Sequence, residues 1–321
     1  MTALATSFGT VLAAVAASGA LYFTGQTLQA ANTQNSLTRQ TSMSDRFRAA
    51  AEQLASDKVS VRTSGVLLLE RLAKDSPDDS GTVLEMLVSF IRNAVETPGC
   101  RLEATDPSNN IIVPEAVQTD VYTAFSVIQR RDTRSTESPT LPALSRACFS
   151  YANLSGIAPG PFNFAGTSFL RAVLQRADLS RANLTNAILT SADLTEANLT
   201  DADLTGARVA LAKLTHAKLV RANLTGVKLT QADMYGANLS EANLTDMQLS
   251  LANLTRADLT RAKFSGYTDL YDANLTSANL TGANLAGANL TSANLTGANL
   301  TDIRYDQRTR WPEGFTPPPS R

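Results

Sequence analysis

Few residues of this chain could do chemistry. Among its 321 residues there is one histidine, His216, and there are two cysteines, Cys100 and Cys148. His216 stands in the stretch Thr215-His216-Ala217-Lys218, at a position that we expect to face solvent without the partner that a general base needs. The two cysteines could pair only if the fold brings them together. They cannot form a disulfide framework, and they indicate a reducing compartment.

Four aspartates recur at equivalent positions, each directly before the central Leu or Met of a five-residue repeat. They are Asp193, Asp203, Asp233 and Asp258, and we expect them to form a solvated ladder. The chain has no glycine-rich phosphate loop, no metal-ligand spacing and no nucleophile elbow. The sequence therefore predicts no catalytic, cofactor-binding or metal-binding residue, no cofactor and no enzymatic activity.

The repeat itself runs from about residue 147 to residue 305 in the form Ala-(Asn/Asp)-Leu-(Thr/Ser)-X, for example Ala273-Asn274-Leu275-Thr276-Ser277. A period of five fits neither the 3.6 of a helix nor the 2 of a flat strand. It predicts a chain that turns a corner in every repeat. The central residue and the small residue two positions earlier would point inward.

Two positions interrupt the repeat. Pro159 is the one position between Phe149 and Phe264 where the large apolar centre is missing. One extra residue then lies within Gly266-Tyr267-Thr268-Asp269, after which the centres run from Leu270 to Tyr305. We expect this extra residue to form a bulge at a corner.

The N-terminal segment 3–23 is almost wholly apolar or small, and roughly 20 such residues span a bilayer as a helix. We predict a transmembrane helix here; a cleaved signal peptide and a buried helix of a soluble core remain alternatives. Basic residues follow the segment, at Arg39, Arg46, Arg48 and Lys58, and none precedes it. The positive-inside rule then predicts a single-pass cell-membrane protein whose C-terminal domains are cytoplasmic.

Between this segment and the repeats the chain is polar and then helical. We predict a polar stalk at 24–44, an α-helical domain at 45–131 and a linker at 132–146. Apolar residues at helical spacing place helices at 45–54, 59–73 and 82–95 and a fourth from Pro114 to Arg131, with a turn at 75–79. The pair of helices at 57–72 resembles one HEAT-type unit, and a plain helical bundle is an equal alternative.

The five-residue repeat resembles that of the pentapeptide-repeat family. The resemblance implies a right-handed quadrilateral β-helix with four repeats per coil over residues 147–305. The fold class is therefore mainly β, a solenoid preceded by a transmembrane helix and a small HEAT-like α-helical domain. About 32 repeats would make about eight coils, a rod roughly 38 Å long at the usual strand spacing.

Both ends of such a solenoid need a cover, because open strand edges pair with other chains. We expect the helical domain to act as the N-terminal lid, next to first coils rich in phenylalanine. Residues 306–321 would form a C-terminal cap and tail. There Trp311 and Phe315 are predicted to fold over the last coil.

The resemblance extends to membrane-anchored bacterial members of the family, of the actinobacterial type. It rests on Asp45-Arg46-Phe47 with Glu52-Gln53-Leu54, and on Val61-Arg62 with Leu69-Glu70-Arg71-Leu72. It implies architecture and little about activity. The helical motifs are less specific than the repeats.

Two functions fit this architecture. The first is a membrane-tethered, non-enzymatic scaffold that binds other proteins through the solenoid or the helical domain. The alternative is a DNA mimic that protects a topoisomerase such as gyrase, as in the quinolone-resistance members of the family. The net charge of −1 and the balance of 12 acidic and 12 basic residues in the solenoid disfavour mimicry of a polyanion.

The expected partners follow from the first function. They are an unidentified protein, the membrane through the N-terminal helix, and a second copy of the chain as a possible homodimer. Nucleic acid is not expected.

Overall fold

The computed structural model describes residues 2–95, 119–130, 144, 149, 154 and 163–321. Its contacts divide the chain into two units, Met1–Val83 and Leu84–Arg321. Cys100, Cys148 and Pro159 lie outside the described residues, as do the predicted helix start at Pro114 and most of the predicted linker.

Four α-helices precede the repeats in the described ranges. They are α1 (Thr2–Leu54), α2 (Val59–Asp75), α3 (Ser80–Val95) and α4 (Thr119–Arg130), with a 3-10 turn at Pro77–Asp79. The predicted helices at 59–73 and 82–95 are confirmed to within two residues. The predicted helix at 45–54 is the last part of α1, which also includes the polar segment 24–44.

The prediction of a transmembrane helix at 3–23 was wrong. No helix in the described part of the chain is long and apolar enough to cross a bilayer. Most residues of 3–23 are Ala, Gly, Ser or Thr, which favour lipid less than Leu, Ile or Phe do. The predicted localisation, a single-pass cell-membrane protein with cytoplasmic C-terminal domains, fails with it.

Within the first unit, α2 packs closely on α1 at Gly65. A Cβ atom at this position would lie 3.0 Å from Cβ of Gln53 and 3.1 Å from the carbonyl oxygen of Ala50. The glycine therefore allows the two helices to approach one another. On the same helix Leu69 and Leu72 are fully buried. The HEAT-type character of this pair stays a prediction.

Each repeat of the second unit builds one side and one corner of a coil. At a typical corner the N–H of Ala177 donates to the carbonyl oxygen of Leu174, at 3.1 Å. Arg176, the third residue of this four-residue turn, has φ of +56°. A β-turn with its third residue in the left-handed region is the geometry of a type II turn. The chain therefore turns once in every five residues.

Parallel bridges stack the coils on one another. Most bridges join an outward residue to the one twenty positions later, as in Asn163 with Asn183, so four repeats complete a coil; those that pass an extra residue, Asn289 with Arg310 among them, span twenty-one. From Gln248 to Asp269 the step is twenty-one, which confirms the predicted extra residue. The four faces are named here by their ladders of bridged residues: face 1 is Asn163 to Arg304, face 2 is Ser168 to Arg310, face 3 is Val173 to Asn294, and face 4 is Asp178 to Asn299.

The interior contains the two apolar residues of each repeat. Ala172 and Leu174 are fully buried, and the same holds for nearly every later Ala and Leu at these positions, as predicted. The N–H of Leu174 donates to the carbonyl oxygen of Asp193 on the next coil, at 2.7 Å. Burial of each leucine contributes about 1.5–3 kcal/mol, so the stacked core supplies the stability of the solenoid.

The first coil differs from the rest around the missing centre. The N–H of Leu154 donates to the carbonyl oxygen of Asp178, and the N–H of Phe164 donates to that of Asn183. Asp178 and Asn183 are one repeat apart, whereas Leu154 and Phe164 are ten residues apart. These two centres are therefore neighbours in the wall of the solenoid.

Helix α4 covers the N-terminal end of the solenoid. Phe125 is almost fully buried, and its ring lies 5.9 Å from that of Phe149 and 5.7 Å from that of Phe164. Phe169 completes the cluster, with its ring centre 5.3 Å from that of Phe164. The predicted lid is confirmed for α4, because its phenylalanine closes the apolar end of the first coils.

The C-terminal tail folds back on the last coil. The ring of Trp311 lies 5.2 Å from that of Tyr305, the last central residue that the repeat predicts, and Phe315 stacks on Trp311 at 5.4 Å. The N–H of Arg321 donates to the carbonyl oxygen of Ile303, at 3.1 Å. The tail therefore covers part of the C-terminal edge, as predicted.

Replacement of one stacked leucine tests the core. Leu224→Ala is expected to lower the free energy of unfolding by about 2–5 kcal/mol, because it leaves a cavity between two coils. Gln248→Ala, at an exposed outward position, is the control and should change it by less than about 0.5 kcal/mol. Urea unfolding measures both. Equal losses in the two variants would contradict the stacked core.

A second substitution tests the lid. Phe125→Ala is expected to destabilise the solenoid by about 3–5 kcal/mol and to promote self-association, because it exposes an unpaired edge. The matched control, Tyr267→Ala, removes an aromatic side chain that is exposed. Thermal unfolding and light scattering measure the two effects. A Phe125 variant as stable and monodisperse as the control would show that α4 does not act as a lid.

Candidate interaction surface

His216 lies on the corner between faces 3 and 4, where its side chain is exposed as predicted. Its ring meets Tyr235 of the next coil edge-on, with 5.5 Å between ring centres. It also fills the space over Gly236, where any side chain would collide with it. In the described ranges, no group of three or more His, Cys, Asp or Glu residues could hold a metal ion. The imidazole therefore packs as part of the corner surface.

The predicted aspartate ladder is half-buried and hydrogen-bonded to its own backbone. Oδ1 of Asp193 accepts hydrogen bonds from the N–H of Thr195 at 3.1 Å and from its hydroxyl at 2.7 Å. The same arrangement recurs at Asp203 and Asp258, and Asp233 accepts from the N–H of Tyr235. These are Asx turns, in which the side chain fixes the corner that follows it.

Asparagines extend these turns from coil to coil. Nδ2 of Asn198 donates to Oδ1 of Asp178 on the previous coil, at 3.0 Å. On face 1, Nδ2 of Asn223 donates to Oδ1 of Asp203 and to the hydroxyl of Thr205. Side chains in such ladders are held in place before any partner arrives. Faces 1, 3 and 4 therefore present a rigid polar surface over much of their length.

Corner residues form ion pairs with the corner residue one coil away. Nε of Arg176 lies 2.8 Å from Oε2 of Glu196, and Nε of Arg221 lies 2.7 Å from Oδ1 of Asp201. The hydrogen bond from Arg176 lowers the pKa of Glu196, and the one from Arg221 lowers the pKa of Asp201. Both pairs are exposed, so each contributes little to stability.

These ion pairs were missed in the sequence analysis, although a signal was present. Each arginine and its acid are twenty residues apart, which is the length of one coil. A search for opposite charges at multiples of twenty would have found them.

Face 2 departs from this pattern. Its ladder reads Ser168, Ile188, Arg208, Lys228, Gln248, Asp269, Asn289 and Arg310. Its first five positions contain no Asn or Asp, so no Asx turn fixes their corners. Arg208, Lys228 and Gln248 are exposed. Face 2 is therefore the side of the solenoid where side chains are least engaged with the fold.

The extra residue forms a bulge at the corner that leads into face 2. The N–H of Tyr267 donates to Oδ1 of Asp246, at 2.7 Å, and the ring of Tyr267 is exposed. Gly266 has φ of +84°, and a side chain there would collide with Asp246. Thr268 occupies the buried alanine position, where its hydroxyl donates to the carbonyl oxygen of Leu244 at 2.7 Å. The bulge is thus held by defined hydrogen bonds.

Comparisons with known proteins identify the repeats. The family described as pentapeptide repeats matches in eight copies, over residues 162–190, 192–231, 210–246, 232–266 and 268–304. The solved structure of HetL, a pentapeptide repeat protein involved in heterocyst differentiation regulation from Nostoc sp. strain PCC 7120, is 32% identical, and the match covers 54% of this chain and 86% of HetL, with a TM-score of 0.47. This chain belongs to the pentapeptide-repeat family. Its members fold into right-handed quadrilateral β-helices, and the four-sided coil seen here matches.

Two further solved structures are similar to this chain, one over a shorter stretch and one at lower sequence identity. Rfr23, a pentapeptide repeat protein from the cyanobacterium Cyanothece 51142, is 41% identical over 29% of this chain and 63% of its own, with a TM-score of 0.29. QnrB1, a plasmid-mediated fluoroquinolone resistance protein, is 16% identical over 54% of this chain and 83% of its own, with a TM-score of 0.34. No match was found among curated proteins.

The ion pair between Arg176 and Glu196 predicts a pH dependence. The folded-state pKa of Glu196 is lowered from its ordinary value of about 4.5, so the pair stabilises the fold above that value and is lost as the pH falls through the folded-state pKa. Glu196→Gln should therefore be less stable than the parent protein at neutral pH, with the difference vanishing in acid. Glu313→Gln, in the exposed tail, is the control. Urea unfolding across this range measures the difference; a difference that persists in acid would contradict the pairing.

Proposed function

We propose that this protein is a non-enzymatic scaffold that binds another protein against one side of its solenoid. The observation that carries the proposal is the fixed outer surface. Backbone bridges align the outward residues of successive coils. Hydrogen bonds in Asx turns and between coils fix many of their side chains. A surface ordered before binding loses little conformational entropy on association.

Differences among the four faces support binding on one side. Faces 1, 3 and 4 carry repeated Asn and Asp ladders, whereas face 2 carries unlike residues in succession. A partner that reads a periodic surface needs such a break in the pattern to find one register. The assignment to an actinobacterial type, the HEAT-type pair and a homodimer rest on the sequence and stay predictions.

The alternative, a DNA mimic that protects gyrase, receives less support. Exposed cations lie on every face of the solenoid: Lys263 on face 1, Arg208 and Lys228 on face 2, Lys213 on face 3 and Lys218 on face 4. A surface that replaces DNA presents negative charge where DNA carries phosphates.

The same cations allow a test of the scaffold, because one exposed lysine lies on each face. A photo-crosslinking amino acid replaces Lys263, Lys228, Lys213 or Lys218 in turn, in cells that express the protein. We expect one protein to be captured from a single face or from two adjacent faces. The remaining positions serve as matched controls, since all four are outward and exposed.

Two results would contradict the scaffold. One is the absence of any captured protein at all four positions in variants that unfold at the temperature of the parent protein. The other is equal capture of the same mixture at all four, which would indicate a surface without a defined partner.

A further inference from the structure

Arg208 and Lys228 stand on neighbouring rungs of face 2, bridged directly to one another. Neither makes an ion pair within the described part of the chain. Ile188 and Gln248, the residues on the rungs before and after them, are uncharged. Neighbouring rungs of the ladder are about 4.8 Å apart, so the like charges that these two residues carry repel one another. A carboxylate from outside would relieve this repulsion.

Two exposed leucines lie on the corner beside these cations. Leu211 is 54% exposed and Leu251 is 46% exposed, and they are two coils apart on the corner between faces 2 and 3. Leu211 follows Arg208 by three residues in the same repeat unit. The cations and the leucines therefore lie along an adjoining face and corner, with Gln231 between the two leucines.

The backbone of both leucines is strained. Leu211 has φ of +60° and Leu251 has φ of +62°, in the left-handed region that bulky side chains disfavour. Among the described non-glycine residues with positive φ, these two have apolar side chains. Their side chains are only about half buried, so burial offsets little of the strain. The type II turn needs a positive φ at this position in every repeat, but it does not need leucine, and the other corners with positive φ carry glycine, histidine or a polar or charged residue. A partly exposed leucine that the turn does not require points to a role in binding.

We infer that Arg208, Lys228, Leu211 and Leu251 form a docking strip for an acidic segment of a partner protein that also carries apolar side chains. Carboxylates of the segment pair with the two cations, and its apolar side chains cover the two leucines. This inference rests on the proposed scaffold function and names the side of the solenoid that is used.

A protein segment fits the strip better than a nucleic acid does. Phosphates would pair with Arg208 and Lys228 but would leave the exposed leucines in contact with water. Asp246, on the corner between faces 1 and 2, and Asp269, two rungs beyond Lys228 on face 2, would also repel a polyanion that extends along the face. The uncharged rungs Ile188 and Gln248 limit the cationic part to two rungs, which suits a short acidic segment.

The charge half of the strip is tested by selecting a random peptide phage library on the full-length protein. We expect enriched peptides that combine Asp or Glu with Leu, Ile or Phe. Arg208→Gln with Lys228→Gln should weaken their binding by about tenfold, and so should an increase in salt from about 50 mM to about 500 mM.

Lys218→Gln with Lys263→Gln is the matched control. It removes the same charge from two exposed positions, both flanked by asparagines on their ladders, and should change binding by less than about twofold. No enrichment of acidic peptides, or equal weakening in both double variants, would overturn the strip. Binding of a labelled DNA oligonucleotide that is lost only in the Arg208 and Lys228 variant would also overturn it, in favour of nucleic acid.

The leucine half is tested by Leu211→Asn with Leu251→Asn. Asparagine adopts positive φ with less strain than leucine, so we expect a higher unfolding temperature together with binding weakened by about fivefold. Weaker binding by a more stable protein cannot be caused by unfolding. Unchanged binding, or a loss of stability, would contradict the role of the leucines.

The scan with photo-crosslinking residues separates this inference from the proposed function. Capture of one protein by the crosslinking residue at position 228 supports both the scaffold and the docking strip. Capture of one protein at Lys263 or Lys218 alone would leave the scaffold standing and overturn the strip.

Discussion

The structure of the solenoid depends on one constraint: the chain must turn at every fifth residue and return to the same place after twenty. The corner turn places one residue per repeat at positive φ, and the turn hydrogen bond from alanine to leucine closes it. Once the coil closes, each leucine falls above the leucine of the previous coil. Burial of the core and the parallel bridges between coils both follow from that registration.

Because the interior is nearly uniform, the differences between parts of the molecule lie on its outside. Three faces use their outward Asn and Asp residues to fix the turns and to link the coils. The first five rungs of face 2 have no Asn or Asp to make these contacts. This part of the face carries cations, with partly exposed leucines on the corner beside it. A surface of this kind retains the rigidity of the solenoid while it presents groups that the fold itself does not use.

The period of five was enough to predict the buried Ala and Leu positions and the bulge near Gly266, and the open strand edges together with the residues that flank the repeats predicted the cover of both ends. These features depend on local spacing, which is visible in the chain. The ion pairs of Arg176 and Arg221 depend on proximity after a whole coil, and they were missed for that reason. The transmembrane helix at 3–23 was predicted from composition alone, and composition rich in alanine separates lipid-spanning from other helices poorly. The partner could not be predicted from the sequence, because binding depends on a few exposed side chains that the repeat does not constrain.

The closure of the coil after four repeats also restricts how such a chain can change in length. Loss or gain of twenty residues in the regular region removes or adds one whole coil and leaves every later residue on its original face. Loss of a single repeat would instead rotate all later residues by one face, so that Arg208 and Lys228 could come to lie on different sides. Solenoids of this kind can therefore differ in length and still keep the same residues on each face, provided that residues are gained or lost in whole coils.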